Sequence, residues 1–167
     1  MPLKYEWPEG RRFAFTIFDD PDMQTTAIGR EPYALLADLG FRTTRGVWPL
    51  PPTRRDRGPN DDCSLPEHVE WLRSLQARGF ELGYHNARIH SSPRIDTIAA
   101  LDRFRELFGH DPLVMANHFE NQEAIYWGSD RLSGWRRSVY DILTRGQNRN
   151  RFFGHAECEV RFDRPRI

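Results

Sequence analysis

Two adjacent carboxylates, Asp19 and Asp20, stand where an apolar run ends: Phe13-Ala14-Phe15-Thr16-Ile17-Phe18 leads into them and Pro21 follows. Histidines occupy comparable places further on. His85 closes Phe80-Glu81-Leu82-Gly83-Tyr84, His118 closes Leu113-Val114-Met115-Ala116-Asn117, and His155 closes Arg151-Phe152-Phe153-Gly154. Carboxylates and neutral imidazoles together suit a borderline divalent ion such as Zn²⁺. A catalytic centre of that kind takes three protein ligands and keeps one position for water, whose pKa the ion lowers. With two acids side by side, one can ligate while the other takes the proton. The plainer reading makes Asp19 and Asp20 turn residues that close Asx-type bonds to the backbone. Buried, unpaired carboxylates are costly, so an apolar strand that delivers two of them favours a site.

The elements must bring these ends together. Residues 12–18 are rich in β-formers without alternation, which predicts a strand buried on both faces and stopped by Pro21. Gly29 predicts a loop over 25–30. Tyr33, Leu35, Leu36 and Leu39 share one helical face over 31–39, and Gly40 ends that helix. A second strand is expected over 41–50, ending at Pro49, and a long loop over 51–63 is placed to rim a site. Ser64-Leu65-Pro66-Glu67 reads as a capping box for a helix to Ala77, with Val69, Leu72, Leu75 and Gln76 inward. A third strand covers 80–85. A helix covers 95–108, with Ile98, Leu101, Phe104, Leu107 and Phe108 on its apolar stripe. A fourth strand at 113–118, a helix over 130–144, a fifth strand at 151–155 and a polar tail over 156–167 complete the pattern. Strand and helix alternate throughout. That pattern predicts one α/β domain over 1–155 whose strands are parallel, in a sheet or barrel with right-handed crossovers. The carboxyl ends of such strands meet on one face.

Composition narrows the function classes. The 167 residues carry 24 basic and 24 acidic side chains, so no overall charge draws the chain to nucleic acid or to an anionic membrane. No window is apolar enough to span a bilayer, and Met1-Pro2-Leu3-Lys4-Tyr5-Glu6-Trp7 has no apolar core of a signal peptide. Cys63 and Cys158 show no metal or redox spacing, which predicts reduced thiols in a cytoplasmic protein. Aromatic residues make up 13% of the chain. Most are expected in the core, while Tyr126 and Trp127 could stack on a sugar face.

Thr16-Ile17-Phe18-Asp19-Asp20, followed by His85 and His90 after a Gly-aromatic step, resembles the polysaccharide deacetylase family of carbohydrate esterases. The resemblance covers roughly residues 10–155 in pattern rather than close identity. It implies an irregular (β/α) barrel with parallel strands, incomplete here because the chain ends early for such a barrel. It implies metal-dependent removal of an acetyl group from an N-acetylated sugar or polysaccharide precursor, with a divalent ion, Zn²⁺ first, as cofactor. By this resemblance Asp19 is the base, Asp20, His85 and His90 are the metal ligands, and His155 is the acid. The chain departs from the family in two places. His85-Asn86-Ala87-Arg88-Ile89-His90 is one residue longer than the family's second motif, and positions five apart do not share a helix face. His118 is then the substitute ligand, with Asn117 and Trp127 as further site candidates. The family's arginine-containing third motif is not recognisable; Met115-Ala116-Asn117-His118-Phe119-Glu120-Asn121 stands in its place. These departures leave two alternatives open. One is a catalytically inactive carbohydrate-binding or scaffold protein of the same fold. The other is a module whose barrel is closed by a partner, including a second copy of the chain.

Overall fold

A computed structural model describes residues 7–54, 58–119, 121, 123, 129 and 132–146. Its frame is a parallel sheet of three strands in the order β1 (Phe18–Asp19), β2 (Thr44–Val47) and β3 (Glu81–Tyr84). Phe18 pairs with Thr44, and Thr44 with Glu81, through to Val47 with Tyr84. Beyond β3, Tyr84 makes one parallel bridge to Met115. Helices α1 (Thr26–Asp38), α2 (Pro66–Ala77) and α3 (Arg94–Phe108) alternate with the strands, and α4 (Gly134–Leu143) follows. The expected strand–helix alternation and parallel pairing are thus present. Among the described residues the sheet is open and no barrel closes. No described helix is long and apolar enough to cross a membrane.

The strand at the centre is buried along its whole length, its arginine included. Over it packs α2, whose Val69, Trp71, Leu72 and Leu75 meet Val47, Phe80 and Leu82 of the sheet layer. Tyr33, Phe104 and Phe108 join the same core from α1 and α3. Two glycines shape the sheet. A Cβ on Gly46 would sit 2.8–2.9 Å from Pro21, the Asp19 carbonyl and the Phe18 ring. A Cβ on Gly83 would sit 2.6 Å from the same ring. The bare backbone at both positions lets Phe18 lie flat across the strands just below their carboxyl ends.

Several expectations fail for identifiable reasons. The run over 12–17 is not a buried strand: Phe13 and Phe15 are each 76% exposed, and only Phe18 and Asp19 pair. This run lies at the sheet edge, where no described element covers its outer side. The loop expected over 25–30 is the start of α1, because the Thr25 hydroxyl caps Ile28 N–H and Gly29 is buried against Trp71. A helix with that register turns Leu35 and Leu39 outward, and both are exposed. Ser64 does not cap α2. Its N–H donates to Asp62 instead, and the helix opens at Pro66 with no side-chain cap. Ile98 faces solvent, while Phe104 and Phe108 of the same expected stripe are buried. The fourth strand is reduced to the single bridge at Met115. Tyr126, Trp127, His155, Cys158, the fifth strand and the tail lie outside the described residues.

Candidate metal centre

Asp20 leaves β1 and turns at once. The Asp22 N–H donates to Asp20 Oδ1 at 3.0 Å, and Gln24 N–H to the Pro21 carbonyl at 3.3 Å. The Asx-type turn is therefore real, and it also folds Asp22 back toward the strand ends. The long loop holds this turn in place: Asn60 Oδ1 accepts from Met23 N–H and Asp61 Oδ2 from Thr26 N–H, each at 2.6 Å. His85 is the first residue after β3 and extends the ladder by donating its N–H to the Val47 carbonyl. Asp20, Asp22 and His85 each offer a donor atom, and these atoms lie within 4.8 Å of one another.

The His85 ring is 2% exposed, walled by Phe18, Trp48 and His118 at centroid distances of 6.0, 5.8 and 5.6 Å. Neither ring nitrogen has a partner of good hydrogen-bond geometry, although the Ala116 backbone lies close to the ring. Nε2 lies 3.4 Å from Asp20 Oδ1 without hydrogen-bond geometry. Burial, reinforced by the neighbouring His118, pushes its pKa down to about 4, so at neutral pH the ring is uncharged. A buried imidazole with a free lone pair facing a carboxylate matches what a cation requires. The spacing agrees: adjacent ligands on a tetrahedral ion with bonds of roughly 2.1 Å are about 3.4 Å apart. Asp22 Oδ1 is likewise buried, and the Asp22 carboxyl lies against that of Asp20.

The two carboxyls differ. Burial, with the Asp22 charge beside it, lifts Asp20 above the usual carboxylate range. Burial would lift Asp22 too, but its hydrogen bond to His118 and that ring's charge outweigh it and hold Asp22 low. His118 Nε2 lies 3.2 Å from Asp22 Oδ2, and Nδ1 lies 3.1 Å from Asn121 Oδ1. Burial pulls His118 down, yet these two hydrogen bonds and the acidic charges hold it above the ordinary histidine value.

Asp19 points elsewhere, as successive strand residues do. Its Oδ2 accepts from Arg45 Nη1 and from the Tyr33 hydroxyl, both at 2.7 Å, and its Oδ1 from Gln24 at 3.1 Å. Arg45 is fully buried and its guanidinium lies 5.6 Å from the Trp71 ring centre. His90 is half-buried and bonds the Arg54 carbonyl at 3.2 Å; it is not among the described residues gathered around Asp20. Asn117, next to His118 in the chain, keeps both amide atoms buried and unpartnered. The fold therefore brings Asp20 and His85 together and sets His118 beside them through Asp22, while Asp19 and His90 are engaged with other groups.

Sequence reasoning passed over Asp22, Arg45, Trp48, Asn121 and Glu123. Asp22 was legible as the third acid of Asp19-Asp20-Pro21-Asp22. Nothing local marks Arg45, whose partner is 26 residues away. No family model, curated protein or solved structure matches this chain.

Proposed function

We propose that this protein is a metal-dependent hydrolase that removes an acetyl group from an N-acetylated sugar or polysaccharide precursor. The observation that carries the reading is the buried His85 imidazole with its Nε2 3.4 Å from Asp20, outside hydrogen-bond geometry, at the carboxyl ends of parallel strands. Asp20 and His85 would hold a divalent cation, Zn²⁺ first by donor chemistry. Such an ion supplies Lewis-acid polarisation of the acyl oxygen and an acidified water. Asp22 is the carboxylate that lies beside the ion to take a proton, with His118 next to it, whereas both oxygens of Asp19 are occupied. In this reading Asp19 serves with Arg45 as a structural pair. Asn117 offers an unfilled donor and acceptor for a polar substrate group. The acid that the resemblance assigns to His155 lies outside the described residues.

Release of acetate from a panel of N-acetylated oligosaccharides by Zn²⁺-supplemented protein tests this. Wild type should release acetate, and Asp22→Asn should lose about 10²–10⁴-fold, the usual worth of a general base. Wild-type release no greater than that of Asp20→Asn removes the catalytic reading. The engagement of Asp19 and His90 favours one second reading, an inactive carbohydrate-binding protein of the same fold. Saturable glycan binding without turnover would select it.

A further inference from the structure

Behind the Asp20–Asp22–His85 group lies a chain of polar side chains that the proposed reaction does not use. Glu123 is 4% exposed, and burial lifts its carboxyl above the usual carboxylate range. Its carboxylate accepts from Asn121 Nδ2 at 3.0 Å, Ser92 N–H at 3.2 Å and Asn86 Nδ2 at 3.4 Å. Asn121, also buried, donates through Nδ2 a second time, to the Arg88 carbonyl at 3.1 Å. An amide whose NH₂ faces two acceptors has only one consistent orientation. The Asn121 oxygen must then be the atom that faces His118 Nδ1 at 3.1 Å, and that nitrogen must carry the hydrogen. Asn86 fixes the same residue from the other side. It sits at φ +60°, immediately after His85, and its Oδ1 accepts the His118 N–H at 2.6 Å. One ring atom of His118, Nε2, is thereby left to meet Asp22.

We propose that Asn121 is a positioning residue for the cation centre, with Glu123 fixing its amide. Asn121 accepts from Nδ1–H and sets the ring angle of His118, so that the second N–H of the charged ring, at Nε2, is presented to Asp22, which it holds against Asp20 and His85. This rests on the proposed metal site and extends it. Partners of this kind, one step removed from the ion, typically change metal affinity by about 10–100-fold when removed.

Two readouts test the proposal. Long-range ¹H–¹⁵N spectra of metal-free protein should show His118 Nδ1 as an N–H nitrogen in wild type. A pyridine-type Nδ1 refutes the relay whatever the protein binds. Calorimetric titration with Zn²⁺ should show binding weakened about 10–100-fold in Asn121→Ala. Circular dichroism confirms that the variant is folded. Equal Zn²⁺ affinity in wild type and folded Asn121→Ala overturns the positioning role. Absence of Zn²⁺ binding by wild type, with the expected Nδ1 signal, refutes the proposed metal site instead and leaves a hydrogen-bonded relay with no cation to serve.

Discussion

His68 and His85 make the stability of this fold acid-sensitive by an amount the structure sets. Both rings are 2% exposed, and burial is the main effect that pushes both pKa values from 6.5 down to about 4. The unfolded chain protonates these rings near pH 6.5, whereas the folded protein stays unprotonated until about pH 4. Folding stability therefore falls as pH drops from about 7 toward 4 and levels off below that. For one group with this shift, linkage gives a loss of about 2 kcal/mol between about pH 7 and pH 5. His118 acts in the opposite sense, because its raised value adds stability as the pH falls. His68 lies outside the site, where its Nδ1 meets the Thr26 hydroxyl at 2.8 Å, so His68→Gln isolates one contribution. Urea unfolding of metal-free wild type and His68→Gln at the two pH values should show a pH-dependent loss smaller by about 2 kcal/mol in the variant. Identical pH dependence in the two proteins would refute the claim that this ring is buried uncharged.

Other expected outcomes follow from particular contacts. Asp19→Ala leaves the buried Arg45 charge unpaired and should cost about 3–5 kcal/mol in urea unfolding, whereas Asp20→Ala, at a 60% exposed side chain, should cost under about 1 kcal/mol. Gly83→Ala drives a methyl group to 2.6 Å from the Phe18 ring and should lower stability by about 1–3 kcal/mol, read as a lower urea midpoint. His90→Ala should leave Zn²⁺ affinity by calorimetry within a few-fold of wild type, since that ring bonds the Arg54 carbonyl.

The alternation of strand and helix was legible because it rests on burial. The inward edge of α2 buries Val69, Leu72 and Leu75, which its pattern singles out. Edges were not legible. Phe13, Phe15 and Ile17 look like core in sequence, but nothing described covers them at the sheet margin, so their apolar character carried no structural consequence. Gly29 looked like a breaker because its neighbour across space, Trp71, is invisible along the chain. In the site, Asp20 and His85 were found because each ends a strand. Asp19 and His90 were assigned by motif position, and their partners Arg45, Tyr33 and Arg54 come from distant segments whose side chains no spacing rule connects to them. Asn121 and Glu123 fall in an irregular stretch with no period, so only coordinates could join them to His118.

The central claim is that Asp20 and His85 share one cation. Anomalous scattering at the zinc edge from crystals grown with Zn²⁺ tests it most directly. The account predicts a single strong peak about 2.0–2.2 Å from both an Asp20 carboxylate oxygen and His85 Nε2. A map with no peak between those two side chains, or with zinc bound only elsewhere on the surface, would contradict it.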